Sequence, residues 1–177
     1  MMDPRSHPSL AWARLLPDRW VVEAARCGPL GRVRKGPGTV GSVGGLALYA
    51  VVFYHLSLPA QILLGALLVY LAVVLCGEAE ARLAKRDPGE IVLDEVVAVP
   101  LCFLALRPWM EASGYVWAWV LAGFVLFRFF DIAKPLGIGR LQKWPGGAGV
   151  VADDVAAALA TAVVLHIAAR LLVTLPS

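Results

Sequence analysis

The 177-residue sequence predicts an all-α fold: a polytopic membrane helix bundle of about five apolar helices, one or two of them short or re-entrant, plus an N-terminal interfacial helix. Three observations carry that prediction. Hydrophobic residues make up 59% of the chain and charged residues 16%, against about 45–50% and about 25% in soluble domains. Apolar stretches fall at residues 39–58, 60–76, 91–106, 114–130 and 155–175, and a membrane span needs about 20 residues, within a range of about 17–25. The links between them alternate between rich and poor in Lys and Arg, the pattern left when basic loops stay on the cytoplasmic side.

Taken in order, residues 1–35 form an N-terminal tail, and residues 36–177 form the membrane-embedded domain that holds every candidate catalytic residue. The first thirty residues have prolines and scattered charges but no apolar core, so they do not read as a secretory signal. Within the tail, "DRWVVEAARC" (18–27) predicts an interfacial amphipathic helix capped by Asp18. Arg19, Glu23 and Arg26 share one face, while Trp20, Val21, Ala24 and Ala25 lean elsewhere. Arg26, Arg32, Arg34 and Lys35 precede the first stretch, which is glycine-rich at its head. A basic loop, "EAEARLAKRDPGE" (78–90), separates the second stretch from the third. The third is short and carries Asp94 and Glu95, so a tilted or bent segment is expected. "RPWMEASG" (107–114) is the sparse outer link to the fourth stretch, and Lys134, Arg140 and Lys143 fill the link to the fifth. The N-terminus is then cytoplasmic and the C-terminus outside, with Arg170 snorkelling outward.

This topology gathers acids. Asp94 and Glu95 open the third stretch, Asp131 closes the fourth, and Asp153 and Asp154 head the fifth, all beside cytoplasmic loops. One acid at a helix head is explained by capping and by the helix dipole, which returns about 0.3–1 kcal/mol. Adjacent pairs are not, since neighbours on a helix point about 100° apart. Five gathered carboxylates repel unless cations or protons intervene. Two readings stand: a metal site, for which oxygen-only ligands suit Mg²⁺, or caps and interhelical hydrogen bonds.

Anion ligands share that plane. "RKGPGTVGSVGG" (34–45) supplies Lys35, Thr39 and Ser42, with Gly38, Gly41, Gly44 and Gly45 open either to a phosphate or to close helix packing. It is not a Walker loop. Arg128, inside the end of an apolar helix, needs a partner: Asp131 or a substrate phosphate. Lys134 lies beside it, and "WPGGAGVVADD" (144–154) supplies a further glycine turn before the acid pair.

Other classes fall away. Cys27, Cys76 and Cys102 are isolated, with no C-x-x-C, which suggests neither a zinc knuckle nor a disulfide framework. A net charge of +3 without a basic, aromatic-laced stripe gives no sign of a nucleic-acid partner. His7, His55 and His166 are not placed as general bases. No D-x-D-x-[TV] run supports a covalent aspartyl-phosphate, and neither P-S-G-H nor D-G-x-x-A-R occurs. The rival class is a non-enzymatic small membrane cation carrier or channel subunit, since intramembrane acids often mark ion paths.

"GPGTVGS" (36–42), "GEIVLDEVVA" (89–98), "FRFFDIAKP" (127–135) and "GGAGVVADDVAAA" (146–158) resemble, in order and spacing, the motifs of the phosphatidylglycerophosphatase A family. The resemblance implies an Mg²⁺-dependent lipid phosphatase of the bacterial inner membrane, acting on a phospholipid in the bilayer and converting phosphatidylglycerophosphate to phosphatidylglycerol. It implies metal and catalytic roles for Asp94, Glu95, Asp131, Asp153 and Asp154. It implies substrate contacts for Thr39, Ser42 and Lys134, and also for Lys35 and Arg128. Ala98 and the pair Ala157 and Ala158 stand where the family usually has glycine. "LGIG" (136–139) replaces a proline-rich continuation after Pro135.

Overall fold

The computed structural model describes residues 12–86 and 88–173, and among them the regular structure is helical with no strand. The α-helices are α1 (Asp18–Ala25), α2 (Pro37–Val51), α3 (Leu58–Leu83), α4 (Leu93–Ala98), α5 (Arg107–Ser113), α6 (Val116–Ala133) and α7 (Gly147–Leu172). Four segments are long and apolar enough to cross a membrane: Pro37–His55, Leu58–Leu83, Val116–Ala133 and Gly147–Leu172. A fifth crossing requires counting the segment Leu93–Phe103 with α5, although the two are bent by 64°.

That bend is the irregularity expected of the third stretch, and its causes are local. Pro100 lacks an amide proton, so the α-helical ladder cannot continue, and α4 passes into a 3-10 turn at Val99–Phe103. Ala105 then takes a left-handed conformation (φ 57°) before α5 begins. In a bilayer such a break survives only where the freed backbone groups find partners inside the protein. Gln61 of α3 supplies a partner for one at the bend, the Ala105 amide, and also ties down the turn between α2 and α3. Its side-chain amide donates to the carbonyls of Phe53 (3.0 Å) and Leu56 (3.3 Å), and its oxygen accepts from the Ala105 amide (3.4 Å).

Two boundaries differ from the sequence reading. α3 runs to Leu83 rather than to residue 76. Its 26 residues span about 39 Å, longer than the about 30 Å hydrocarbon core. Past Gly77 the extra turns are built of Ala, Glu, Arg and Leu, good helix formers, with Glu78 and Arg82 paired at 3.1 Å one turn apart. α7 begins at Gly147 rather than residue 155. Gly146, at φ 62° and ψ −155°, makes the sharp entry. Gly147 then lies so close to α3 that a Cβ on it would collide with the Val73 carbonyl, and one on Gly77 would come within 2.6 Å of the Gly147 nitrogen.

α7 is the central element, packed on α3, α4 and α6. One core joins Tyr49, Phe103, Phe127, Met110 and Leu165, with Tyr49 and Phe103 stacked at 4.3 Å. A second joins Val21 and Ala25 of α1 to Ala72, Cys76 and Ala79 of α3 and to Val150 and Val151 of α7. The interfacial helix is therefore docked on the bundle through one face, while Trp20 stays 65% exposed. Pro17, not Asp18, is its N-cap residue; Asp18 is the first helical residue and reaches Arg82 at 3.3 Å.

Candidate active site

Asp153 and Asp154 are the seventh and eighth residues of α7. They are not the head of the helix, and at this depth the backbone amides are already bonded within it. Capping therefore does not explain them. Both are buried, as is Asp94, the second residue of α4. The Asp94 carboxylate accepts the Glu95 amide at 3.1 Å.

The five acids fall into two classes. Two are matched by cations. Asp131 accepts from Arg128 at 2.7 Å, across one turn of α6. Asp153 accepts from Lys134, whose left-handed backbone (φ 44°) ends α6. The other three, Asp94, Glu95 and Asp154, form no salt bridge among the described residues. One oxygen from each lies within 4.8 Å of the others. Charges of Glu95, Asp131 and Asp153 act on Asp154, and those of Glu95 and Asp154 act on Asp94, so all five belong to one electrostatic cluster. Glu95 Oε2 is buried with no hydrogen-bond partner. A buried carboxylate oxygen left without a donor is costly unless a cation meets it. Three converging carboxylates, with no nitrogen or sulfur ligand grouped with them among the described residues, and that orphaned oxygen fit a hard divalent cation.

Arg128 Nη1 also donates to Ser42 Oγ at 3.3 Å, and Ser42 donates to the Gly38 carbonyl at 2.9 Å. Ser42, Arg128 and Lys134 thus join the acids. Lys35 and Thr39 lie exposed just before and within the first turn of α2. At Lys134, burial favours the neutral amine, but the hydrogen bond and charge of Asp153, with Asp131 and Asp154 behind it, hold the group above its ordinary value.

The glycine-rich head of α2 serves helix packing against α4. A Cβ on Gly38 would strike Glu95 Oε1, one on Gly41 would come within 2.9 Å of Val92 Cβ, and one on Gly45 within 2.7 Å of Val99 Cβ. The missing side chains make the slot that admits Glu95. Of the histidines, His7 lies outside the described residues, His55 closes a 3-10 turn, and His166 meets its own helix through the Ala162 carbonyl at 2.9 Å.

Sequence reasoning missed the brace behind Asp94 and Glu95. Arg26 pairs with Glu90 at 2.6 Å, and the Val92 amide donates to the Ala25 carbonyl at 3.0 Å. Gly31 fits where a Cβ would strike the Glu90 carbonyl. The Arg26–Glu90 and Ala25–Val92 ties cross more than sixty residues and leave no periodic mark. Cys27, beside this brace, is held by burial and by the Glu95 charge as a thiol, its pKa pushed up to about 11.

Comparison with known proteins identifies the family. The family model described as phosphatidylglycerophosphatase A matches residues 24–169. A phosphatidylglycerophosphatase A of Haemophilus influenzae is 35% identical over 136 residues, covering 76% of this chain and 80% of its own. One of Escherichia coli is 35% identical over 135 residues, covering 73% and 72%. A Bacteroides thetaiotaomicron relative, provisionally named a phosphatidylinositol-3-phosphatase, is 33% identical over 135 residues, covering 75% and 82%. No solved structure matches the chain at a significant level. A match across most of the chain, taking in all five acids and both of their cations, places it in the phosphatidylglycerophosphatase A family.

Proposed function

We propose that this chain removes the terminal phosphate of phosphatidylglycerophosphate, giving phosphatidylglycerol, with Mg²⁺ held by Asp94, Glu95 and Asp154. Family membership makes it a membrane-embedded phosphoric monoester hydrolase. The observation that carries the metal reading is the meeting of three carboxylates without a paired cation, beside two that have one. Bound there, Mg²⁺ would polarise the phosphoryl oxygens and lower the pKa of an attacking water.

The chain's own groups do the rest. Lys134, anchored by Asp153, puts a fixed positive charge where negative charge develops in the transition state. Arg128 is aimed by Asp131 and Ser42 through one nitrogen, which leaves the rest of its fork for a phosphate oxygen. Lys35 and Thr39 are exposed to an arriving headgroup. In this reading the acyl chains stay in the bilayer. The site faces the cytoplasm of a bacterial inner membrane, because the basic loops lie at its end of the bundle.

The test is phosphate release by the purified chain in detergent, with Mg²⁺ and after chelation. Release from phosphatidylglycerophosphate that stops on chelation and returns with Mg²⁺ is expected. Undiminished release after chelation would remove the metal. Faster release from phosphatidylinositol 3-phosphate would move the substrate towards that of the Bacteroides relative. Ion flux in reconstituted vesicles with no hydrolysis would favour a carrier. The buried acids Glu78, Asp94, Asp153 and Asp154 speak against a carrier, since they gather toward one end of the bundle rather than lining a path through it.

A further inference from the structure

At the same end of the bundle as the acids, a cavity of about 1030 Å³ opens between the end of α3 and the chain entering α7. One wall is Glu80 and Ala81 of α3 with Ala84, Lys85 and Arg86 just past its end. The facing wall includes Lys143 and Trp144. None of the five carboxylates lines it, nor do Arg128 or Lys134. Gly149 and Val150, on its floor, precede the Asp153 and Asp154 pair by four residues, about 6 Å along the helix. The space is neighbouring but distinct.

Its chemistry is that of a receptor for an anion anchored in the bilayer. Among the described residues that line it, Lys85, Arg86 and Lys143 are set against one acid, Glu80. Lys85 and Lys143 are exposed and enter no salt bridge among the described residues. Arg86 donates to the Gln142 carbonyl at 2.7 Å, which ties the two walls together. Trp144 is 53% exposed at the mouth, and tryptophan favours the headgroup level of a membrane. Ala81, Ala84 and Val150 add apolar surface. Ligand pockets run to about 300–1,000 Å³, so the volume suits a lipid headgroup with its glycerol rather than a bare phosphate ion. Basic pockets between membrane helices on the cytoplasmic side bind anionic headgroups.

We propose that this cavity binds the headgroup of an anionic phospholipid, a phosphodiester held apart from the reacting centre. The site needs no hydrolysis, and its test is separate from the phosphatase assay. The purified full-length chain is titrated with phosphatidylglycerol or phosphatidylcholine of matched acyl chains, and bound lipid is counted by native mass spectrometry. Phosphatidylglycerol is expected to bind more tightly than phosphatidylcholine. Lys85→Gln and Lys143→Gln should each weaken it about fivefold, and both together about 25-fold, while Arg170→Gln, at the opposite end of α7, leaves it unchanged. Circular dichroism of the double variant shows whether the fold persists. If the double variant is unfolded, nitroxide-labelled phosphatidylglycerol is added to wild type and to Trp144→Phe. Equal quenching of the two would overturn the proposal, and quenching lost in Trp144→Phe would support it. Equal affinity for the two lipids, or an undiminished affinity in a folded double variant, would also overturn it. Displacement of the lipid by an equal concentration of inorganic phosphate would make the cavity a free-phosphate site and end the lipid assignment.

Discussion

Asp154 is the side chain on which the proposed chemistry turns, because it joins α7 to the acids of α4 and has no cation of its own among the described residues. Asp154→Asn and Asp94→Asn should each lower phosphate release at least about 100-fold with an unchanged circular dichroism spectrum; near-wild-type release from both would remove them from the chemistry. Lys134 carries a pH prediction. Folding favours its charged form, so its contribution to stability is whole below the ordinary value of 10.5 and fades as pH rises through the elevated one. Thermal unfolding of the wild type should therefore show an alkaline loss above pH 10.5 that is smaller in Lys134→Met. The acids and their neighbouring cations were legible as residue types beside basic loops. Their division into matched and unmatched was not, because the partner of Asp153 lies nineteen residues away and a left-handed turn at Lys134 decides where the amine points.

The helices themselves were legible wherever apolar residues ran unbroken, and misjudged wherever a helix continued in other residues. The last turns of α3 are charged and alanine-rich, and the first turns of α7 are rich in glycine; hydropathy marks neither as helix. What holds α7 there is backbone proximity, which predicts a sharp penalty. Gly147→Ala places a methyl against the Val73 carbonyl, which cannot rotate away. It should cost about 1–3 kcal/mol, read as a lower Tm in detergent. Gln61→Leu should cost a similar about 1–3 kcal/mol, since the Ala105 amide loses its acceptor inside the bundle. A Tm equal to wild type in that variant would show the break to be satisfied otherwise. The bend itself was foreseen from the acids at the start of a short stretch. Gln61 as its staple was not, because a single glutamine in an apolar run has no partner visible in sequence.

The assembled bundle puts the acids, the basic loops and the lysine-lined cavity at one end. If that end is cytoplasmic, a membrane-impermeant maleimide applied to intact cells should label Ser57→Cys, in a Cys27→Ser background, and leave Lys143→Cys untouched until the membrane is opened. The reverse pattern would invert the topology. The order of spans and the gathering of acids could be read from the alternation of loops, whereas the docking of α1 against α3 depended on Val21 and Ala25 fitting a surface that no local pattern describes. The inward position of Asp153 and Asp154 also bears on biogenesis. The final span leaves the ribosome with two acids nearly two turns inside it, and an acid in a membrane helix resists insertion by up to about 2.5–3.5 kcal/mol at the centre and less toward an end. Lys134 has already been translated and can receive one of them; the other is accommodated only among residues of α4 and α6. Translocation of this helix is thus conditional on its predecessors, and the same segment expressed alone should stall at the membrane surface.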